Sequence, residues 1–116
     1  MRNDKDNIIL NQSLEFALEI IKYCELLDEH KKYIISKQLL RSGTSIGANI
    51  REAQNAESKA DFIHKLKIAL KEADETQYWL ILCEMSEHYP KNETLKTKII
   101  SIINILSKII ITSKSH

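Results

Sequence analysis

The residue types able to do chemistry in this 116-residue chain fall into a polar stripe and a basic stretch. Gln38, Ser42, Ser45, Asn49 and Glu52 recur at 4-3-4-3 spacing, so a helix aligns them on one side. Glu72, Glu75 and Thr76 can stand at the matching level of a partner helix. Buried hydroxyls, amides and carboxylates need hydrogen-bond partners. Arg41 and Arg51 flank the stripe and are suited to pair with Glu52 or with an acid of the facing helix. Such a stripe either fixes helix register, as a buried Asn does in coiled coils, or builds a binding surface. Glu52 with Glu72 or Glu75 around a metal would be the catalytic version, a nuclease. In the basic stretch, Lys37 and Arg41 are one turn apart, as are Lys67 and Lys71, and Lys59 and Lys65 add to them. Cations in this pattern form either a solvated face or a phosphate-contacting one. Tyr33, Tyr78 and Trp79 can stack on bases, but their spacing does not interleave them with the lysines.

Enzyme templates fail one by one. No Walker loop and no Rossmann glycine fingerprint occurs. A paired Glu-x-x-His signature is absent, which removes a di-metal bundle. His30, His64, His88 and His116 are scattered, and none follows an Arg by four to six residues, the arrangement of small helical ribonucleases. Ser45 has no His at helical spacing to activate it. Cys24 and Cys83 sit among apolar residues and read as buried free thiols. Cys83 and His88 are five apart with no second pair, so a zinc site lacks ligands. The chain is therefore expected to have no catalytic residue, no metal, no cofactor and no small-molecule substrate.

The elements that must position these groups are helices. Hydrophobic residues make up 43% and charged residues 28%, a globular balance, while two Gly and one Pro leave few places for the tight turns of an all-β fold. No run of 18 apolar residues is present. The polar, acid-bearing start (Met1 to Asp6) is unlike a secretory signal, so a cytoplasmic location is expected. The net charge of +1 hides blocks: residues 31–71 carry nine basic and three acidic side chains, and residues 1–30 carry three and seven. Residues 72–93 are acidic again, and residues 94–116 hold four Lys and no acid. Blocks of this kind can steer polyanions or a chain's own copies.

Periodicity places helices at about 8–28, 33–56, 59–87 and 93–112 in a single domain, 1–116. The first has two apolar stripes, with Leu10, Leu14, Ala17, Ile21 and Cys24 as its seam and Phe16, Ile20, Tyr23 and Leu27 beside it. The second runs on through Gly43 and Gly47, whose shared face lets another backbone approach closely. Its seam is Ile35, Leu39, Ser42, Ile46, Asn49 and Ala53, and it is predicted to pack tightly on the small residues Ala69 to Thr76 of the third. The third helix opens on Ser58-Lys59-Ala60-Asp61, close to a capping box, with Phe62, Leu66, Ala69, Ala73, Thr76, Leu80 and Cys83 as its seam. Asn92 caps the fourth after Pro90 stops the third. Its seam is Leu95, Ile99, Ile102, Leu106 and Ile109, and Ile100, Ile103, Ile110 and Ile111 exceed what one side of a small bundle can bury. That excess predicts self-association. Short connections predict an all-α, antiparallel up-down-up-down four-helix bundle.

The stretch Ser45-Ile46, Asn49-Ile50 and Glu52, followed by Ser58, Asp61, Phe62 and then Ala69, Ala73, Glu75 and Thr76, resembles one family over residues 8–112. It is similar to the four-helix bundle proteins encoded in intervening sequences of bacterial 23S rRNA genes. These S23-like proteins are related to the accessory variability proteins of diversity-generating retroelements. The resemblance implies a homopentameric ring in which Ser45, Asn49, Glu52, Glu75 and Thr76 form a polar core. For the retroelement relatives it also implies binding of nucleic acid and of a reverse transcriptase. Joined to the basic stretch, it makes Lys37, Arg41, Lys65, Lys67 and Lys71 the candidate nucleic-acid contacts of a non-catalytic oligomer. The alternative is a purely structural or protein-binding oligomer.

Overall fold

The computed structural model describes the backbone of residues 4–115 and the side chains of residues 8–115. Among the described residues there are four helices and no strand: α1 (Asp4–Glu29), α2 (Tyr33–Ala53), α3 (Lys59–Met85) and α4 (Leu95–Lys114). They pack side by side into a compact body of 48 × 20 × 19 Å. Each helix touches its neighbour in sequence and α4 returns to α1, while the diagonal pairs bring no Cα atoms within 8 Å. Contacts that join the helices include Cys24 with Ser36, Ser42 with Thr76, Glu52 with Lys65, and Glu19 with Lys98.

The core of α3 and α4 follows the spacing closely. Leu66, Ala69, Ala73, Thr76, Leu80 and Cys83 are buried on α3, with Phe62 only half-buried at its start. Leu95, Ile99, Ile102, Leu106 and Ile109 are buried on α4, together with Ile110. Of the isoleucines expected outside, Ile110 is thus a core residue and Ile103 is half-buried. Ile100 and Ile111 stay exposed.

On α1 the core is filled mainly by the second stripe, with only Cys24 of the expected seam fully buried. Ile9, Phe16, Ile20, Tyr23, Cys24 and Leu27 fill the core, and Leu14, Leu18 and Ile21 are 59%, 55% and 40% exposed. Both stripes are apolar, but turning Phe16 and Tyr23 inward removes more apolar surface from water. Of the expected seam, Cys24 is buried, Leu10 is half-buried against the core and Ala17 is half-buried, while Leu14 and Ile21 are left exposed.

The two glycines of α2 sit inside an unbroken helix but face α1, not α3. A Cβ on Gly43 would lie 2.9 Å from Ile20 Cγ2, and one on Gly47 would lie 3.4 Å from Ser13 Oγ. The α3 side already presents alanines and Thr76, whereas α1 presents Phe16 and Ile20, so the side with the bulky partner is the one that gives up a side chain.

The helix ends are closed by local chemistry. Ser58 Oγ accepts the Asp61 N–H at 3.0 Å, and the Asp61 carboxylate accepts the Glu57 N–H at 3.3 Å, one residue earlier than in a capping box. α2 ends at Ala53, three residues before the predicted end, because Gln54, Asn55 and Ala56 bond to carbonyls three residues back. Asn92 Oδ1 accepts from the Thr94 and Leu95 N–H groups at 2.9 and 2.8 Å and so starts α4. Lys91 Nζ reaches the carbonyls of Cys83, Glu84 and Ser86 at 2.9, 2.9 and 2.5 Å, placing a cation on the negative end of α3.

Candidate nucleic-acid interface

The α2–α3 contact assembles most of the polar residues singled out above. Thr76, fully buried, shares its hydroxyl proton between Ser42 Oγ at 2.9 Å and the Glu72 carbonyl at 2.7 Å. Arg41 lies across the helix pair, donating to Glu72 at 3.2 Å and to Glu75. Glu75 also accepts the Trp79 indole N–H at 3.0 Å. That bond, and then the guanidinium, hold its carboxyl below the ordinary carboxylate range. Trp79 in turn meets Tyr78 edge to face, with ring centroids 5.3 Å apart.

The expected polar core is not a core. Of Ser45, Asn49, Glu52, Glu75 and Thr76, only Thr76 is buried; Ser45, Asn49 and Glu75 are half-buried and Glu52 is exposed. Ser45 donates to its own helix at the Arg41 carbonyl (2.6 Å), and Asn49 to the Ser45 carbonyl (2.9 Å). Glu52 pairs with Lys65 at 3.2 Å on the surface. Ser45, Asn49 and Glu52 flank the helix contact one step away from its centre, where local hydrogen bonds and a surface ion pair engage them. Among the described residues, no buried side-chain nitrogen or oxygen lacks a hydrogen-bond partner.

The basic candidates divide into two kinds. Arg41 and Lys65 are engaged with Glu72, Glu75 and Glu52. Lys37, Lys67 and Lys71 are exposed, and no carboxylate pairs with them among the described residues. The missing member is Lys114 at the end of α4, whose pKa is pushed down by the Lys67 ammonium beside it. Its hint was the acid-free basic stretch after residue 93, but no spacing argument relates residues so far apart in sequence.

Other candidates are used up by the fold. Cys24 and Cys83 are buried thiols, and burial pushes the Cys24 pKa up to about 11. They sit on the diagonal helices α1 and α3, whose Cα atoms do not come within 8 Å, beyond disulfide reach. No group of three metal-capable side chains occurs among the described residues. A cavity of about 290 Å³ lies between Tyr23, Leu80, Lys91 and Leu95, and several of its polar groups are bonded within the fold. Tyr23 donates to the Pro90 carbonyl at 2.7 Å, and Glu84 pairs with Lys96 at 3.1 Å. No helix among the described residues is long and apolar enough to cross a membrane.

The fold and its surfaces define an all-α, four-helix protein whose distinguishing features are outward faces rather than a pocket. The family model described as 23S rRNA-intervening sequence protein matches residues 5–111, and the chain belongs to that family. It is also similar to the crystal structure of a protein with unknown function from the S23 ribosomal protein family of Bacteroides thetaiotaomicron VPI-5482. The two are 51% identical, the match covers 91% of this chain and 97% of that one, and the TM-score is 0.85. A comparison with curated proteins returns no match.

Proposed function

We propose that this protein is a non-catalytic, cytoplasmic, self-assembling module that binds RNA, alone or held by a reverse-transcriptase-type protein, through exposed lysines. The protomer is an antiparallel up-down-up-down bundle, and the assembly is a homopentameric ring. The observation that carries the phosphate reading is the lysine group itself. Lys67, Lys71 and Lys114 stand without a carboxylate partner among the described residues, and Lys67 presses on Lys114 strongly enough to lower its pKa. Like charges brought together at a surface are relieved by a polyanion. Lys37 is a further exposed lysine on α2, while Arg41 and Lys65 serve the α2–α3 contact and act on phosphates only indirectly.

Self-assembly is supported by a second face. Leu14, Leu18 and Ile21 are exposed on α1, and Leu40 is 40% exposed on α2. Ile100 and Ile111 are exposed on α4. Apolar surface in two separate places suits head-to-tail contacts that close into a ring.

Charge reversal tests the phosphate reading. Lys67→Glu with Lys71→Glu is expected to weaken binding of a labelled single-stranded RNA and to flatten the plot of log affinity against log salt by about 1.4, from about 0.7 for each phosphate no longer neutralised. Fluorescence anisotropy at several salt concentrations measures both. Unchanged affinity and slope would leave the purely protein-binding oligomer as the reading.

A further inference from the structure

We infer that the lysine group is one half of a single-strand site, and that Tyr78 is the other half, a platform on which an unpaired base stacks. The inference rests on the phosphate reading above and adds to it the kind of nucleic acid and a residue for the base.

Lys67, Lys71, Asp74 and Tyr78 follow one another at helical spacing along the outward side of α3, and all four are exposed. Tyr78 is 56% exposed, far more than a ring kept only for packing requires. It lies about 10 Å along the axis from Lys71, a distance that one to two nucleotides of an extended strand cover. The ring is braced from behind: Trp79 meets it edge to face, Glu75 takes the Trp79 N–H at 3.0 Å, and Arg41 holds Glu75 from α2. A platform fixed before the ligand arrives loses little freedom on binding. The ion pair that removes Arg41 from phosphate contact thus positions the aromatic pair instead.

Asp74 decides between single strand and duplex. Its carboxylate stands between Lys71 and Tyr78 and pairs with no cation among the described residues. A duplex presents a rigid, evenly spaced row of phosphates and would set one against this acid. A single strand can turn that phosphate to water while its base lies on Tyr78. Stacking on an aromatic face tolerates any base, so the site is expected to discriminate strandedness more than sequence.

Three variants and three probes test this. The probes are a labelled single-stranded RNA 12-mer of mixed sequence, its blunt duplex, and inorganic polyphosphate, which has charge and no bases. Tyr78→Ala is expected to lower affinity for the single strand about tenfold, the effect of one stacked base, and to leave polyphosphate binding and the salt slope unchanged. Tyr78→Phe keeps the ring and should restore binding. Lys67→Glu with Lys71→Glu should weaken both single strand and polyphosphate. Equal binding of the single strand by Tyr78→Ala and the wild-type protein would overturn the platform while leaving the phosphate reading intact. Duplex bound as tightly as single strand would do the same. Failure of the wild-type protein to bind either RNA or polyphosphate would overturn both.

Discussion

Glu19 shows how a single side chain ties distant segments together. Its carboxylate, on α1, accepts from Lys98 at 2.5 Å, from Thr94, and from Asn92 at 3.5 Å, so it anchors the start of α4. Burial alone would raise its pKa, but the bonds from Lys98, Thr94 and Asn92 outweigh it and hold the group below its ordinary 4.5. A carboxyl depressed in the folded state contributes stability above its unfolded pKa and loses it as pH falls through the folded value. Glu19→Gln is therefore expected to be less stable than the wild-type protein at neutral pH, by about 1 kcal/mol for a partly exposed pair. Urea denaturation should show the gap closing as pH drops below 4.5. A gap that persists at pH 3 would mean that Glu19 acts by shape and not by charge. At this scale the sequence was readable only in part. The stripe from Gln38 to Glu52 was visible, and so was the pairing of Arg41 with an acid of the next helix. Periodicity could not separate the buried Ser42 from the half-buried Ser45 on α2, because one residue of helix rotation decides between them.

At the scale of the helices, volume decided what periodicity left open. The α3 and α4 seams were legible because their alternating four- and three-residue spacing runs unbroken from Leu66 to Cys83 and from Leu95 to Ile109, although both helices carry further apolar residues. The α1 seam was not, since two apolar stripes compete and only packing against neighbours selects the one with Phe16 and Tyr23. The glycines were legible as a site of close approach, but their partner was not: the spacing fixes a face and does not say which helix lies there. The two positions should behave oppositely. Gly43→Ala puts a methyl 2.9 Å from the buried Ile20 and is expected to destabilise by about 1–3 kcal/mol, more than the helix-propensity gain of about 1 kcal/mol returns. Gly47→Ala meets only Ser13, at 3.4 Å and beyond, and should be neutral or stabilising by up to about 1 kcal/mol. Thermal and urea melts of the two variants check the contrast. Equal effects would mean that the α1–α2 spacing differs from the one described.

For the whole molecule, sequence residues, family and fold agree, and the surfaces supply what the family description leaves open. Residues 5–111 belong to the 23S rRNA-intervening sequence protein family. That membership was legible in the motif from Ser45 to Thr76 because the motif residues flank and fill the α2–α3 contact, which any chain with this fold must build. The outer faces were less legible, since they draw on helices far apart in sequence, as Lys67 of α3 with Lys114 of α4 shows. The proposal assigns these faces different partners, copies of the chain on Leu14, Leu18 and Ile21, and RNA on Lys67, Lys71 and Tyr78. Native mass spectrometry of protein purified without nuclease tests both assignments in one spectrum. The wild-type protein is expected as five copies carrying RNA, Lys67→Glu with Lys71→Glu as five copies carrying none, and Leu18→Glu as a folded monomer. A wild-type monomer free of RNA would contradict the proposal at both faces.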